Sequence, residues 1–108
     1  MTRDWTFTLK TVNQWYNLWT LIQADKSYTD PTFSNSPYVP NMVRELKFQN
    51  KTAGSNIYRS DSKLESGFQL SSFSWDVDRA EGNTIDLTNC NFQSDTANAI
   101  LYVKITAN

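Results

Sequence analysis

The feature that most constrains this chain is the run Ala99-Ile100-Leu101-Tyr102-Val103-Lys104-Ile105-Thr106, in which Ala99, Leu101, Val103 and Ile105 alternate with Ile100, Tyr102, Lys104 and Thr106. Successive side chains of an extended strand point to opposite faces, so this period of two describes a strand with one face in a core. Ile85 and Leu87 alternate with Thr84 and Asp86 in the same way. Between the two runs lies a segment rich in Asn, Ser, Asp and Thr, whose short polar side chains bond nearby backbone and favour turns. The C-terminal third therefore reads as strand, turn, a short strand around Phe92, turn, strand.

The same pattern extends upstream. From Asp4 to Val12, Trp5, Phe7 and Leu9 share one face and Thr6, Thr8 and Lys10 the other, predicting a first strand. Trp15 to Gln23 reads as a strand apolar on both faces, covered on both sides or meeting another subunit. Trp15, Leu18, Trp19 and Ile22 also fit helical spacing, so a short amphipathic helix is the alternative. Met42 to Gln49 places Met42, Leu46 and Phe48 on an inner side, with Arg44 as the exception there and Val43, Glu45, Lys47 and Gln49 outside. Ile57 to Arg59 and Gly67 to Leu70 follow, then a strand with Phe73, Trp75 and Val77 inward and Ser72, Ser74 and Asp76 outward. The expected core is Leu46, Phe48, Ile57, Phe73, Trp75, Ile85, Leu87, Leu101, Val103 and Ile105.

One stretch breaks the pattern. Residues 25–41 hold all three prolines and no sustained alternation. Proline withholds a backbone donor, so the segment does not lie inside a sheet. Loops of this length are uncommon in compact domains, and Tyr28, Phe33 and Tyr38 argue against plain disorder. Two readings stay open: a loop folded over one end of the core, or an arm that binds a partner.

With 108 residues the chain makes one domain, 1–108. The expected class is all-β, an antiparallel sandwich or Greek-key barrel of about eight short strands. Ten basic residues against eleven acidic ones, scattered along the chain, give no footprint for nucleic acid or a membrane surface. No apolar run is long enough to span a bilayer, and no export signal is visible. One cysteine, Cys90, and no histidine leave no internal disulfide, no imidazole or thiolate metal cluster and no Ser-His-Asp arrangement. We therefore expect no catalytic residues, no metal, no cofactor and no enzymatic activity. Cys90 reads as a small apolar residue near a turn, and Asp61 and Asp95 as residues closing tight connections after short strands.

The chain also echoes itself. Asn56-Ile57 is followed by Ser60-Asp61, and Asn91-Phe92 by Ser94-Asp95. This is either an internal repeat or the ordinary likeness of two hairpins.

From Arg44 to Ile105 the order VRELKFQNKTAGSNIYRSDS, then GFQL, then GNTIDLTNCNFQSDTANAILYVKI resembles the small virion structural proteins of tailed bacteriophages. In those a relkiqN strand is followed by an nIyvgD-like strand, a Gly-Phe-x-Leu segment and an nIdLxnvyvrsDTAnqxvxVlyv ending. The most specific piece is Ser94-Asp95-Thr96-Ala97-Asn98 before an alternating strand; the Trp-rich N-terminal region and the proline-bearing loop lie outside it. The resemblance implies a β-sandwich that assembles on the particle as a decoration or cement protein or a small head or tail component. Its partners would be copies of itself and a major capsid or other virion protein, its location the virion after assembly in the host cytoplasm. The expected contact residues are Trp15, Tyr16, Trp19, Tyr28, Phe33 and Tyr38. The alternative from another class is a carbohydrate-binding module using Trp15, Tyr16, Trp19, Tyr28 and Tyr38 to stack on sugar rings.

Overall fold

The computed structural model describes residues 2–25, 40–61 and 68–108. Phe33, Tyr28 and Tyr38, with most of the proline-bearing loop, lie outside them. The described elements are strands β1 (Thr2–Leu9) and β2 (Tyr16–Asn17), helix α1 (Leu18–Gln23), strands β3 (Met42–Val43), β4 (Glu45–Asn50), β5 (Ile57–Ser60), β6 (Phe68–Leu70), β7 (Trp75–Arg79) and β8 (Ile85–Asp86), a short 3-10 turn (Leu87–Asn89), and strands β9 (Asn91–Ser94) and β10 (Ala99–Thr106).

Alternation dictates how these strands layer. One four-stranded sheet, A, runs β1-β10-β4-β7 and a second, B, runs β2-β9-β5-β6; β3 and β8 form a small third pair, and every pairing is antiparallel. The long C-terminal strand lies in the middle of sheet A with Leu101, Val103 and Ile105 fully buried. Its register sets Val103 between Trp5 of β1 and Phe48 of β4, so the apolar positions of three strands form one continuous face. Phe48 then meets Phe92 of β9 edge-on, with centroids 5.5 Å apart, joining the two sheets. The antiparallel all-β class expected from the sequence is what forms.

Four expectations are corrected. The Trp15–Gln23 run is two residues of strand followed by a helix, because Asn17 acts as its N-cap: its Oδ1 accepts from Thr20 N, while its Nδ2 donates to Thr88 O and Asn91 Oδ1. Leu18 and Ile22, one helical turn apart, form its buried stripe. The Met42–Gln49 run breaks at Arg44 into β3 and β4, which belong to different sheets. Val43 is thereby buried, and Met42 lies half-buried at the small pair. Strand β7 is turned over relative to the expectation: Phe73 and Trp75 are each 57% exposed, and Asp76 and Asp78 stand opposite buried Phe48 and Leu46. Ile85 is half-buried, since β8 pairs with β3 rather than joining a large sheet.

The echo has a structural counterpart. Strands β5 and β9 lie side by side and antiparallel. The Asn before β5 therefore meets the Asp after β9, Asn56 N and Nδ2 donating to the Asp95 carboxylate at 2.8 and 2.9 Å. The Asn that opens β9 reaches back to the residue after β5, Asn91 Nδ2 donating to Asp61 O at 3.0 Å.

Candidate interaction surface

The aromatic residues expected to make contacts divide. Trp15, Tyr16 and Trp19 are half-buried, and Tyr16 and Trp19 pack against the core. The Tyr16 hydroxyl accepts a bond from Thr11 N, and hydrogen bonding to Thr11, through its side chain first and its backbone second, lowers the Tyr16 pKa below the ordinary tyrosine value. Tyr16 thereby ties β2 to the β1–β2 connection, and Trp19 packs α1 onto the core.

A second surface was not foreseen. Along the outer face of sheet A, β7 exposes Trp75 beside Lys47, whose ammonium lies 4.7 Å from the ring centre. Phe73 precedes it in the β6–β7 turn with φ of 62°, a left-handed backbone that a bulky residue rarely adopts. Gln49 Nε2 donates to the Phe73 carbonyl and steadies that turn. On β6, Phe68 is 44% exposed while its edge leans on Phe48. Three large aromatic side chains thus stand in solvent on or beside the two strands that end sheets A and B. The missed signal was Ser74-Trp75-Asp76-Val77-Asp78: a run with acids at every other position reads equally well with either face inward.

The inner side of β7 borders a cleft of about 640 Å3 lined by residues that include Arg59, Asp61, Asp78, Asp86, Asn89 and Cys90. Arg59 projects from sheet B over the Phe48 ring, 4.9 Å from its centre, and pairs across the sandwich with Asp78 of sheet A. A second carboxylate, Asp61, stands 3.7 Å away and is largely exposed. Burial works to lower the Arg59 pKa, but Cys90, Asp78 and Asp61 together hold it above its ordinary value, so the guanidinium stays charged. Burial also pushes the Cys90 thiol up, against the opposing pull of Arg59. A buried thiol held protonated is a poor nucleophile. Among the described residues no group of three or more His, Cys, Asp or Glu is placed to hold a metal ion.

Asp95 does not close its own turn as expected. Its carboxylate is held by Asn56 of the neighbouring strand, and those bonds lower its pKa. The turn is closed instead by Ser94 Oγ, which accepts from Thr96 N at 3.1 Å, and by Asn98, which takes the left-handed backbone with φ of 60°. Polar residues also tie the sandwich together inside. Asn50 is fully buried, donates to Ser55 O and Leu70 O and accepts from Thr52 N, linking sheet A to sheet B.

No protein-family model, no curated protein and no solved structure matches this chain.

Proposed function

We propose that this chain is a non-enzymatic structural protein that works by surface contact, assembling as an oligomer on a tailed-phage particle, most nearly as a capsid decoration or cement protein. The observation that carries the reading is how the side chains are used. Buried or bridging polar groups pair within the chain in the Asn50, Asn56–Asp95 and Arg59–Asp78 contacts, while Phe68, Phe73 and Trp75 stand largely in solvent. Aromatic residues suit protein interfaces because they bring large contact area at low entropic cost. The resemblance of residues 44–105 to virion structural proteins supplies the setting.

Sedimentation and light scattering at tens of micromolar, alone and with particles lacking the protein, test this. Oligomerisation or particle binding is expected. A monomer that binds neither heads nor tails overturns the reading.

A carbohydrate-binding module is the second reading, favoured by one observation. Trp75 of β7, Gln49 of β4 and Tyr102 of β10 are in register across sheet A, with a polar amide between two aromatic rings. Binding of the isolated chain on a glycan array would favour it over assembly.

A further inference from the structure

Strand β7 ends sheet A, and its backbone decides what that edge offers. Bonds from Asn50 N to Ser74 O and from Ala80 N to Arg44 O bracket a register that sets Phe48 opposite Asp76 and Leu46 opposite Asp78. Alternate residues of an antiparallel ladder turn their N–H and C=O groups to opposite sides. Ser74, Asp76, Asp78 and Ala80 therefore face β4, and Trp75, Val77 and Arg79 face away, meeting no strand among the described residues. Such an edge is a template for another strand.

The side chains along it select the occupant. On the outer face stand Trp75, Val77 and Arg79, the last turned to Glu45 at 3.3 Å. On the inner face stand Asp76 and Asp78, and beside them the cleft holds Asp61 and Asp86. Arg59 is shared between Asp78 and Asp61, so this side of the edge keeps an excess of negative charge. A second copy is a poor fit: β7 paired with itself about Val77 would set Asp76 of each copy against Asp78 of the other, and like charges directly opposite are destabilising.

We propose that β7 is the docking edge for an extended segment of a partner protein that alternates Lys or Arg with apolar residues and adds as a fifth strand to sheet A. Its basic residues lie opposite Asp76 and Asp78 and reach toward Asp61 and Asp86, while its apolar residues lie beside Trp75 and Val77. This deepens the proposed function, since it rests on the chain acting by surface contact and names the contact.

Val77→Pro is the discriminating variant. The Val77 N–H points away from β4, so proline removes an outward donor without removing a bond within sheet A. The probe is a synthetic extended peptide of about eight residues, a long strand, alternating Lys and Val; a Glu and Val peptide is its control. On the full chain, the Lys peptide is expected to slow hydrogen exchange at the Trp75, Val77 and Arg79 amides about tenfold. Val77→Pro, with a wild-type melt, is expected to bind it about tenfold more weakly, and Asp76→Asn to weaken it with a shallower salt dependence. Equal binding of the Glu peptide, unchanged binding by Val77→Pro, or protection of those three amides in the free chain overturns the proposal. If Val77→Pro fails to fold, the exchange experiment on wild type still decides. Particle binding by Val77→Pro equal to wild type overturns the edge and leaves the assembly reading standing. Wild type that binds no particle yet shows the amide protection does the reverse.

Discussion

Phe73 shows at the scale of one residue how local geometry and side-chain choice can disagree. A left-handed backbone costs an ordinary L-residue about 1–2 kcal/mol, and the exposed ring recovers little of it by packing. Asn tolerates this backbone, so Phe73→Asn is expected to leave the melting temperature unchanged or raise it, by up to about 1 kcal/mol in stability; a denaturant titration reads this directly. Asn50 is the opposite case. Replacing it by Ala removes the donor to Ser55 O and Leu70 O and the acceptor for Thr52 N, and a loss of about 2–3 kcal/mol is expected from the same titration. Asp95 gives a pH dependence whose sign follows from its lowered pKa. The folded chain holds the carboxylate more strongly than the unfolded chain does. Its contribution is therefore complete above the ordinary aspartate value, about pH 4, and is lost as pH falls through the lower folded value. Asp95→Asn should flatten that part of the acid stability curve, seen as melts between about pH 2 and 5.

Elements differ in how much each depends on its neighbours. Strand β10 is paired with β1 along its length and with β4 from Leu101 to Thr106, and it carries four buried positions, so Leu101→Ala is expected to cost about 2–4 kcal/mol. Edge strand β7 should respond far less: Trp75→Ala loses the contact with Lys47 and is expected to cost under about 1 kcal/mol. Parallel thermal melts of the two variants separate them, and comparable losses would put Trp75 in the core after all. Helix α1, at six residues, is too short to stand by its propensity. It exists because Asn17 caps it, Leu18 N donates to Cys90 O, and Leu18 and Ile22 pack inward.

Across the whole molecule, the Arg59–Asp78 pair spans the two sheets at the open side of the sandwich. Arg59→Ala leaves Asp78 facing inward without its partner and uncovers Phe48. A loss of about 2 kcal/mol is expected, below that of a fully buried pair because Asp78 keeps contact with water. Arg59→Met, which restores cover over Phe48, should recover part of it; equal losses for both variants would show that packing on Phe48 contributes nothing. Aspartates pointing inward along an edge are also a known guard against indiscriminate strand addition. In the proposed docking, the charges that disfavour a second copy of β7 at this edge are those that would attract a basic segment.

The sequence by itself determined the strands whose alternation runs unbroken, because period-two burial is a property of the chain before it folds. The strands expected at 4–12, 42–49 and 99–106 were legible in part for that reason, forming over Thr2–Leu9, Glu45–Asn50 and Ala99–Thr106, and with them the core of Leu46, Phe48, Leu101, Val103 and Ile105. Asn56–Asp61 and Asn91–Asp95 were legible as an echo, though the bonds between them were not, since pairing partners are fixed only when two strands meet. Tertiary structure alone decided three things. Asn17 became a helix cap because Thr88 and Asn91, far along the chain, hold its amide. Arg44 divided one run between two sheets. Strand β7 turned its aspartates inward because it lies at the sheet's edge, where the inner face opens to water and Arg59 arrives from the other sheet to meet Asp78.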